Sequence, residues 1–271
     1  MRFILIFIFF FLLIGCSPEK EILFIPSDQY LIHTHNYYKD AEHFEYSAHY
    51  GLAQIGSLTL DCPKITNKID SIECYHVIAK AELTGLAGGL TTLEDSWDSF
   101  IDTSSLLPKK FSRDLKENKY KKKEYTIFNR PSKQAIVHDT TGGVIKTKTF
   151  EITEKIQDML SVYYLFRNVP FYELVEGDTL KMDVFLEQAR YNIRIKYLGK
   201  EQIKTKYGKL SSFIIAPLIP ENKMLQGEYP VKAWISDDER KIPLKVQVKI
   251  LLGSVEVELE DYVSNKIANQ K

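Results

Sequence analysis

The chain has 271 residues, with 36 Lys+Arg against 36 Asp+Glu and a formal net charge of zero. That balance excludes bulk nucleic-acid binding, which needs a basic footprint. Aromatic residues make up 12%, with 16 Tyr and 15 Phe; this suits strands, whose pleated surface favours aromatic and β-branched side chains, although aromatic contact with a ligand is the other reading.

The N-terminus reads as an export signal. Arg2 is followed by the unbroken apolar run Phe3–Ile14 and then Gly15-Cys16, a basic start, a short greasy stretch and a small residue before a cleavage point. As a helix the run spans roughly 18 Å, well short of the ~30 Å of a bilayer core. Leu13-Ile14-Gly15-Cys16 resembles a bacterial lipoprotein box. That resemblance implies cleavage before Cys16, a diacylglyceryl group on its thiol and acylation of the new N-terminus; the alternative is a plain cleaved signal with a chance cysteine. Two or more acyl chains anchor stably where one holds only marginally. Ser17, rather than an aspartate, follows the cysteine, which points to the outer membrane, facing the periplasm. The expected layout is a signal peptide at 1–15, a tether at 16–40, a single β-rich domain at 41–262 and a tail at 263–271. Losing Arg2 with the signal leaves the mature chain at about −1. In the tether, His33 and His35 would project to one side of an extended strand. No third ligand accompanies them, so no metal site is expected.

Two cysteines remain, Cys62 and Cys74, in an oxidising compartment where a disulfide is the default. The polar connection Pro63–Ser71 between strand-like runs predicts a cystine across a hairpin, stabilising by ~3 kcal/mol. Two buried free thiols are the alternative.

Period-two alternation begins at Phe44, Tyr46, Ala48 and Tyr50, with Gly51 and Gly56 as interruptions. Tyr75 to Leu83 alternates again, and Gly85–Gly89 breaks the pattern. Further strands are predicted around 93–102, 109–116, 120–129 and 134–140, before Gly142-Gly143. One helix is predicted at Thr153–Arg167 from the i, i+3, i+4, i+7 spacing of Ile156, Met159, Leu160, Tyr163 and Phe166. Thr153 would cap it and Pro170 would stop it.

The second half reads as a meander: 180–186, then 191–197, with Tyr191, Ile193, Ile195 and Tyr197 on one face. Strands at 210–218 and 231–237 follow, with hairpin turns at Gly199-Lys200 and Tyr207-Gly208. In the last hairpin, Leu244, Val246 and Val248 oppose Val255, Val257 and Leu259. A turn at Leu252-Gly253 would set Lys249 against Glu256 and Lys245 against Glu260. Strands with one wet and one dry face make an antiparallel sheet covered on one side.

Several stretches resemble a family of bacterial exported proteins catalogued as domain of unknown function 3108. They are Asp158-Met159-Leu160-Ser161, Tyr163–Arg167 and Gly177-Asp178, then Gly199-Lys200-Glu201, Thr205–Gly208 and Pro217. The most characteristic is Trp234–Pro243, and Tyr50-Gly51-Leu52 with Ile55-Gly56 also fits. The resemblance runs from about Phe44 to Tyr262. By shape analogy with the lipoprotein-carrier proteins, it implies a mainly β fold: a curved antiparallel half-barrel with one long central helix on its concave side.

The candidate chemistry is sparse. Ser236-Asp237-Asp238 could be catalytic, but Ser and Asp are also turn formers. No Ser-His-Asp set assembles from six scattered histidines, and no phosphate loop or dinucleotide fingerprint occurs. No enzyme activity and no cofactor are expected. Lys119, Lys121, Lys122 and Lys123 could meet lipid phosphates or protect a strand edge. Two functions remain. In the first, an apolar ligand such as a lipid or acyl chain lies between sheet and helix, lined by Met159, Tyr163, Phe166, Tyr191, Ile193 and Ile195. In the second, those side chains are core, and the domain is a non-catalytic scaffold for a protein partner in the envelope. A fully packed core would favour the scaffold, and an open cavity of several hundred Å³ would favour the ligand.

Overall fold

A computed structural model describes residues 41–63, 66–83, 93–220 and 224–264. The signal peptide, Cys16, the tether with His33 and His35, the Gly85–Gly89 break and the chain after Ser264 lie outside the described residues.

Alternating sequence becomes strand throughout. Before the helix come β1 (Glu42–Tyr50), β2 (Ala53–Cys62), β3 (Thr66–Ile69), β4 (Ile72–Leu83) and β5 (Leu93–Asp102), then β6 (Pro108–Glu117), β7 (Tyr120–Asn129), β8 (Gln134–Asp139) and β9 (Lys146–Glu151). The helix α1 spans Met159–Arg167. After it come β10 (Thr179–Leu186), β11 (Ala189–Thr205), β12 (Gly208–Pro217), β13 (Val231–Ser236), β14 (Pro243–Ile250) and β15 (Gly253–Ser264). The last strand thus runs to Ser264, two residues past the expected end of the domain at 262.

All 15 strands form one antiparallel sheet in the order β10-β11-β12-β13-β14-β15-β1-β2-β4-β5-β6-β7-β8-β9, with β3 paired to β4. The sheet is not closed into a barrel, and α1 is its one α-helix among the described residues. Two runs of neighbouring strands are joined by a single seam, β1 against β15, where Phe44 faces Tyr262 and Ala48 faces Val257. Between the end strands β9 and β10 runs an extended segment with one turn at Glu154-Lys155, where Ile156 N–H donates to the Thr153 carbonyl at 3.4 Å. Ile152 N–H donates to the Lys133 carbonyl at 2.9 Å, and Gln157 exchanges backbone bonds with Asp183 and Phe185 at 2.9 and 2.8 Å. The dry face carries the core. On β5, for example, Leu93, Asp95, Trp97, Ser99 and Ile101 are buried while their neighbours reach solvent.

Five local expectations are corrected. The helix starts six residues later than Thr153, because Asp158 rather than Thr153 caps it: its carboxylate accepts from Leu160 N–H at 2.9 Å and Ser161 N–H at 2.7 Å. Ile156 is buried as a helical pattern demands, but from the extended segment. Gly199-Lys200 is not a turn. β11 runs through it with a bulge between Tyr197 and Lys200, where Gly199 holds φ +89°, a conformation glycine adopts without a Cβ penalty. In the last hairpin the faces are as expected but the register slips by one pair. The turn residues are Leu251-Leu252, so Lys245 opposes Glu258 and Gln247 opposes Glu256. The lysine cluster does not guard an edge, since β7 lies between β6 and β8; Lys122 pairs with Asp139 at 2.6 Å and Lys123 with Asp114 at 3.3 Å.

The fifth correction is the disulfide: Cys62 and Cys74 are both buried free thiols. Register explains it. Asp61 opposes Ile78, so the ladder carries Cys62 towards Val77. Cys74 lies three residues further along β4, roughly 10 Å away and, by the period of two, on the opposite face. Burial pushes the Cys62 thiol up to about 12.

Candidate functional site

The site is assembled where α1 meets β1 and the β13–β14 connection. Asp158 is fully buried and also accepts from Ser99 Oγ on β5 at 2.6 Å. Burial raises its carboxyl to about 6 despite the hydrogen bonds it receives. From this fixed start α1 turns Leu160, Tyr164 and Leu165 into the core, all at most 4% exposed. Val162, Tyr163 and Phe166 are only half-buried.

At the far end of α1, Arg167 enters the protein interior. Its guanidinium meets Glu42 at 2.6 and 3.0 Å, and its Nε donates to the Arg240 carbonyl at 2.8 Å. Tyr262 donates its hydroxyl to the same Glu42 carboxylate at 2.8 Å. The guanidinium lies over the rings of Phe44 and Tyr164. A buried charge needs such complete pairing, since desolvation would otherwise cost several kcal/mol.

The β13–β14 connection is built by Ser236 and Asp238. Asp238 Oδ1 accepts from the Ser236 hydroxyl at 2.7 Å, Arg240 N–H at 3.0 Å and Lys241 N–H at 3.2 Å. Arg240 binds the other oxygen at 2.6 Å. Ile242 N–H donates to Ser236 Oγ at 2.8 Å. Asp237 is held by Lys200 at 3.0 Å and Ser211 at 2.9 Å. The Asp238 carboxylate is thus consumed by the connection, as turn chemistry requires, and the Asp237 carboxylate by side chains of β11 and β12. The connection leaves Lys241 at φ +48° and only 6% exposed.

Between α1 and the sheet lies a cavity of about 140 Å³. Of the six residues singled out in the sequence, Met159, Tyr163, Phe166, Ile193 and Ile195 line it. Tyr191 does not; it sits on the same strand further along β11, opposite Val184. The opposing walls come from Tyr46 on β1, Leu58 and Leu60 on β2, and Ile235 on β13. The hydroxyls of Tyr46 and Tyr163 are buried close to one another, and desolvation raises the Tyr163 hydroxyl well above its usual range. Arg167 and Lys241 complete the lining. Sequence periodicity missed both, because a cation breaks an apolar pattern; yet each lies within a stretch that carries the family resemblance.

A larger cleft of about 600 Å³ lies beside the extended segment, and Met182 lines both spaces. On its rim Lys133 pairs with Glu154 at 2.9 Å and Asn192 donates to Asp183 at 2.9 Å, while the buried Thr153 hydroxyl has no hydrogen-bond partner.

These features define a single-sheet antiparallel β protein with an apolar cavity beside its helix. Residues 45–260 match the family described as "Protein of unknown function (DUF3108)", and the chain belongs to that family. No curated protein matches the sequence. Among solved structures, the beta-barrel-like protein of domain of unknown function DUF1849 from Brucella abortus is similar over 83% of this chain and 98% of its own, with 10% identity and a TM-score of 0.53. That similarity concerns the fold alone. A candidate lipoprotein from Parabacteroides distasonis aligns over 83% of this chain and 95% of its own, with 8% identity and a TM-score of 0.30, too low to support a structural argument.

Proposed function

We propose that this protein is a lipoprotein of the bacterial cell envelope, held by acylated Cys16 at the outer membrane and facing the periplasm. Its domain is a curved half-barrel that binds an apolar ligand between sheet and helix, without catalysis or cofactor. The observation that carries this reading is the cavity itself. Leu58 on β2 and Met182 on β10 share its lining, although six strands separate β2 from β10 in the sheet order, which is the relationship a curved sheet produces. No helix of the described residues is long and apolar enough to cross a membrane.

The volume supports a second reading. A dry cavity of about 150 Å³ accommodates a benzene-sized molecule, whereas drug-sized ligands occupy 300 Å³ or more. This space therefore suits one short apolar segment, or a core that is merely imperfectly packed in a scaffold. Mass spectrometry of the purified mature domain, with a fluorescent fatty-acid analogue as a second probe, separates the two. Co-purifying lipid or saturable probe binding supports the ligand reading; absence of both leaves the scaffold. For the anchor, Cys16→Ser is expected to abolish labelling by a fatty-acid analogue, and unchanged labelling refutes it.

A further inference from the structure

Two neighbouring hairpins carry leucine where tight turns ordinarily carry polar residues. The β1–β2 turn reads Tyr50-Gly51-Leu52-Ala53 and the β14–β15 turn reads Ile250-Leu251-Leu252-Gly253, with no charged residue in either. By contrast, the β3–β4, β6–β7 and β10–β11 hairpins turn on Asp70-Ser71, Asn118-Lys119 and Glu187-Gln188. The backbone does not demand the leucines. Gly51 at φ +59° and Gly253 at φ +108° supply the positive φ of the two turns, and Leu52, Leu251 and Leu252 have none. Yet these leucines are 104%, 64% and 76% exposed.

The two tips form one unit. β1 pairs with β15, with Tyr50 opposite Val255, so both turns stand at the same end of the sheet. Tyr50 donates its hydroxyl to the Leu252 carbonyl, and a Cβ on Gly253 would lie 3.6 Å from the Tyr50 ring. Leu251 N–H donates to the Met224 carbonyl at 3.1 Å, which sets the exposed Met224 beside the leucines. An apolar patch joined across three segments differs from the single apolar side chains scattered over an ordinary surface.

We propose that these tips dip into the headgroup–acyl boundary of a lipid bilayer, so that the sheet meets the membrane by the end that carries Leu52, Leu251 and Leu252. A side chain that stands as clear of the protein as Leu52 would need a fitted socket in a protein partner, whereas a bilayer receives it without shape complementarity. The chain's own length permits the contact. Glu42 lies at the opposite end of β1 from Tyr50, roughly 26 Å away by the rise of a strand, and the stretch from Cys16 to Glu42 can reach at most roughly 90 Å. An anchor at Cys16 therefore lets the far end of the sheet touch the same bilayer and keeps it at high effective concentration there. The proposal rests on the envelope-lipoprotein reading for the nearness of a bilayer and is independent of the cavity and its ligand.

The test separates tips from anchor by using the whole mature chain with Cys16→Ser. Flotation with phosphatidylcholine vesicles at millimolar lipid is compared for this protein and for a version that also carries Leu52→Ser, Leu251→Ser and Leu252→Ser. The partition coefficient is expected to fall at least about tenfold, the worth of burying a single leucine, and raising the salt to about 0.5 M should not release the unsubstituted protein, because screening acts on charges and the tips have none. A polarity-sensitive dye on Ala53→Cys should shift to the blue when vesicles are added, and the same dye on Lys206→Cys, at the other end of the sheet, should not. Binding that survives the triple change, release by salt, or equal dye responses at the two ends overturns the proposal. So does a lack of vesicle binding, even if the triple change abolishes a concentration-dependent dimer, a result that would assign the tips to a second copy. The dye comparison holds even if the triple version does not fold, and none of these failures touches the anchor, which labelling of Cys16 tests separately.

Discussion

Arg167 and Glu42 lie 125 positions apart in the chain and meet as a two-pronged ion pair, 2.6 and 3.0 Å long, with both side chains out of solvent. The pair locks the C-terminal end of α1 to the first strand of the sheet. It is also a pairing that can be broken from either side.

Removing one partner, by Arg167→Met or Glu42→Gln, is expected to destabilise the domain by about 3–5 kcal/mol, because the survivor is left buried and uncompensated. Urea denaturation measures it. The double variant should be markedly less destabilised than the sum of the two single changes. Additive losses would show that the two groups do not act as a pair.

Asp158 makes stability depend on pH in a defined direction. Its carboxyl is raised from 3.8 to about 6, so between those values the folded state binds more protons than the unfolded state. The contribution of this residue therefore falls as pH rises from about 4 to about 6, and stays low above that. Asp158→Asn retains an acceptor for Leu160 and Ser161 without the charge. Relative to that variant, the unsubstituted protein should lose about 3 kcal/mol across the window. A pH-independent difference between the two would refute the assignment.

The two cysteines should behave as isolated thiols. With the Cys62 thiol pushed up to about 12 and Cys74 also raised by burial, little thiolate is available at neutral pH, and the thiolate is the reactive form. Alkylation of the native protein should be slow and become rapid on unfolding. A reducing agent should leave the melting temperature unchanged; a drop of several degrees would instead reveal a crosslink.

Within α1, packing and lining residues should separate on mutation. Leu160 is fully buried, so Leu160→Ala is expected to cost about 2–5 kcal/mol. Phe166 is half-buried at the cavity, and Phe166→Ala should cost less while changing retention of an apolar probe. Equal losses at both positions, with no effect on retention, would assign both to the core.

Much of the sheet is legible in the sequence because a strand's period of two is local. The strands predicted at 93–102 and 120–129 coincide with β5 and β7, and the faces of the last hairpin are right even where its register is not. What escapes is decided at a distance or by one backbone angle. A helix period cannot tell α1 from the extended segment before it, since Ile156 is buried in either state; Asp158 decides, through bonds to Leu160, Ser161 and Ser99. Gly199 reads as a turn because the sequence does not say that its positive φ serves a bulge. The cavity was half visible. Met159, Tyr163, Phe166, Ile193 and Ile195 follow from amphipathic faces, whereas Lys241 depends on a left-handed residue after Asp238, and Glu42 on a partner half the chain away.

The β1–β15 seam has a consequence for the order in which the chain can be completed. Across it, Ser47 Oγ donates to Glu260 at 2.6 Å, 213 positions away. A chain that emerges N-terminus first makes β1 almost at once and must keep one edge of it open until nearly the last residue arrives. Contacts so distant in sequence are slow to form, and an open edge invites pairing with other chains. A truncation that removes only β15 therefore does far more than shorten the protein: it strips β1 and β14 of a neighbour together and leaves the two runs of strands with no ladder between them.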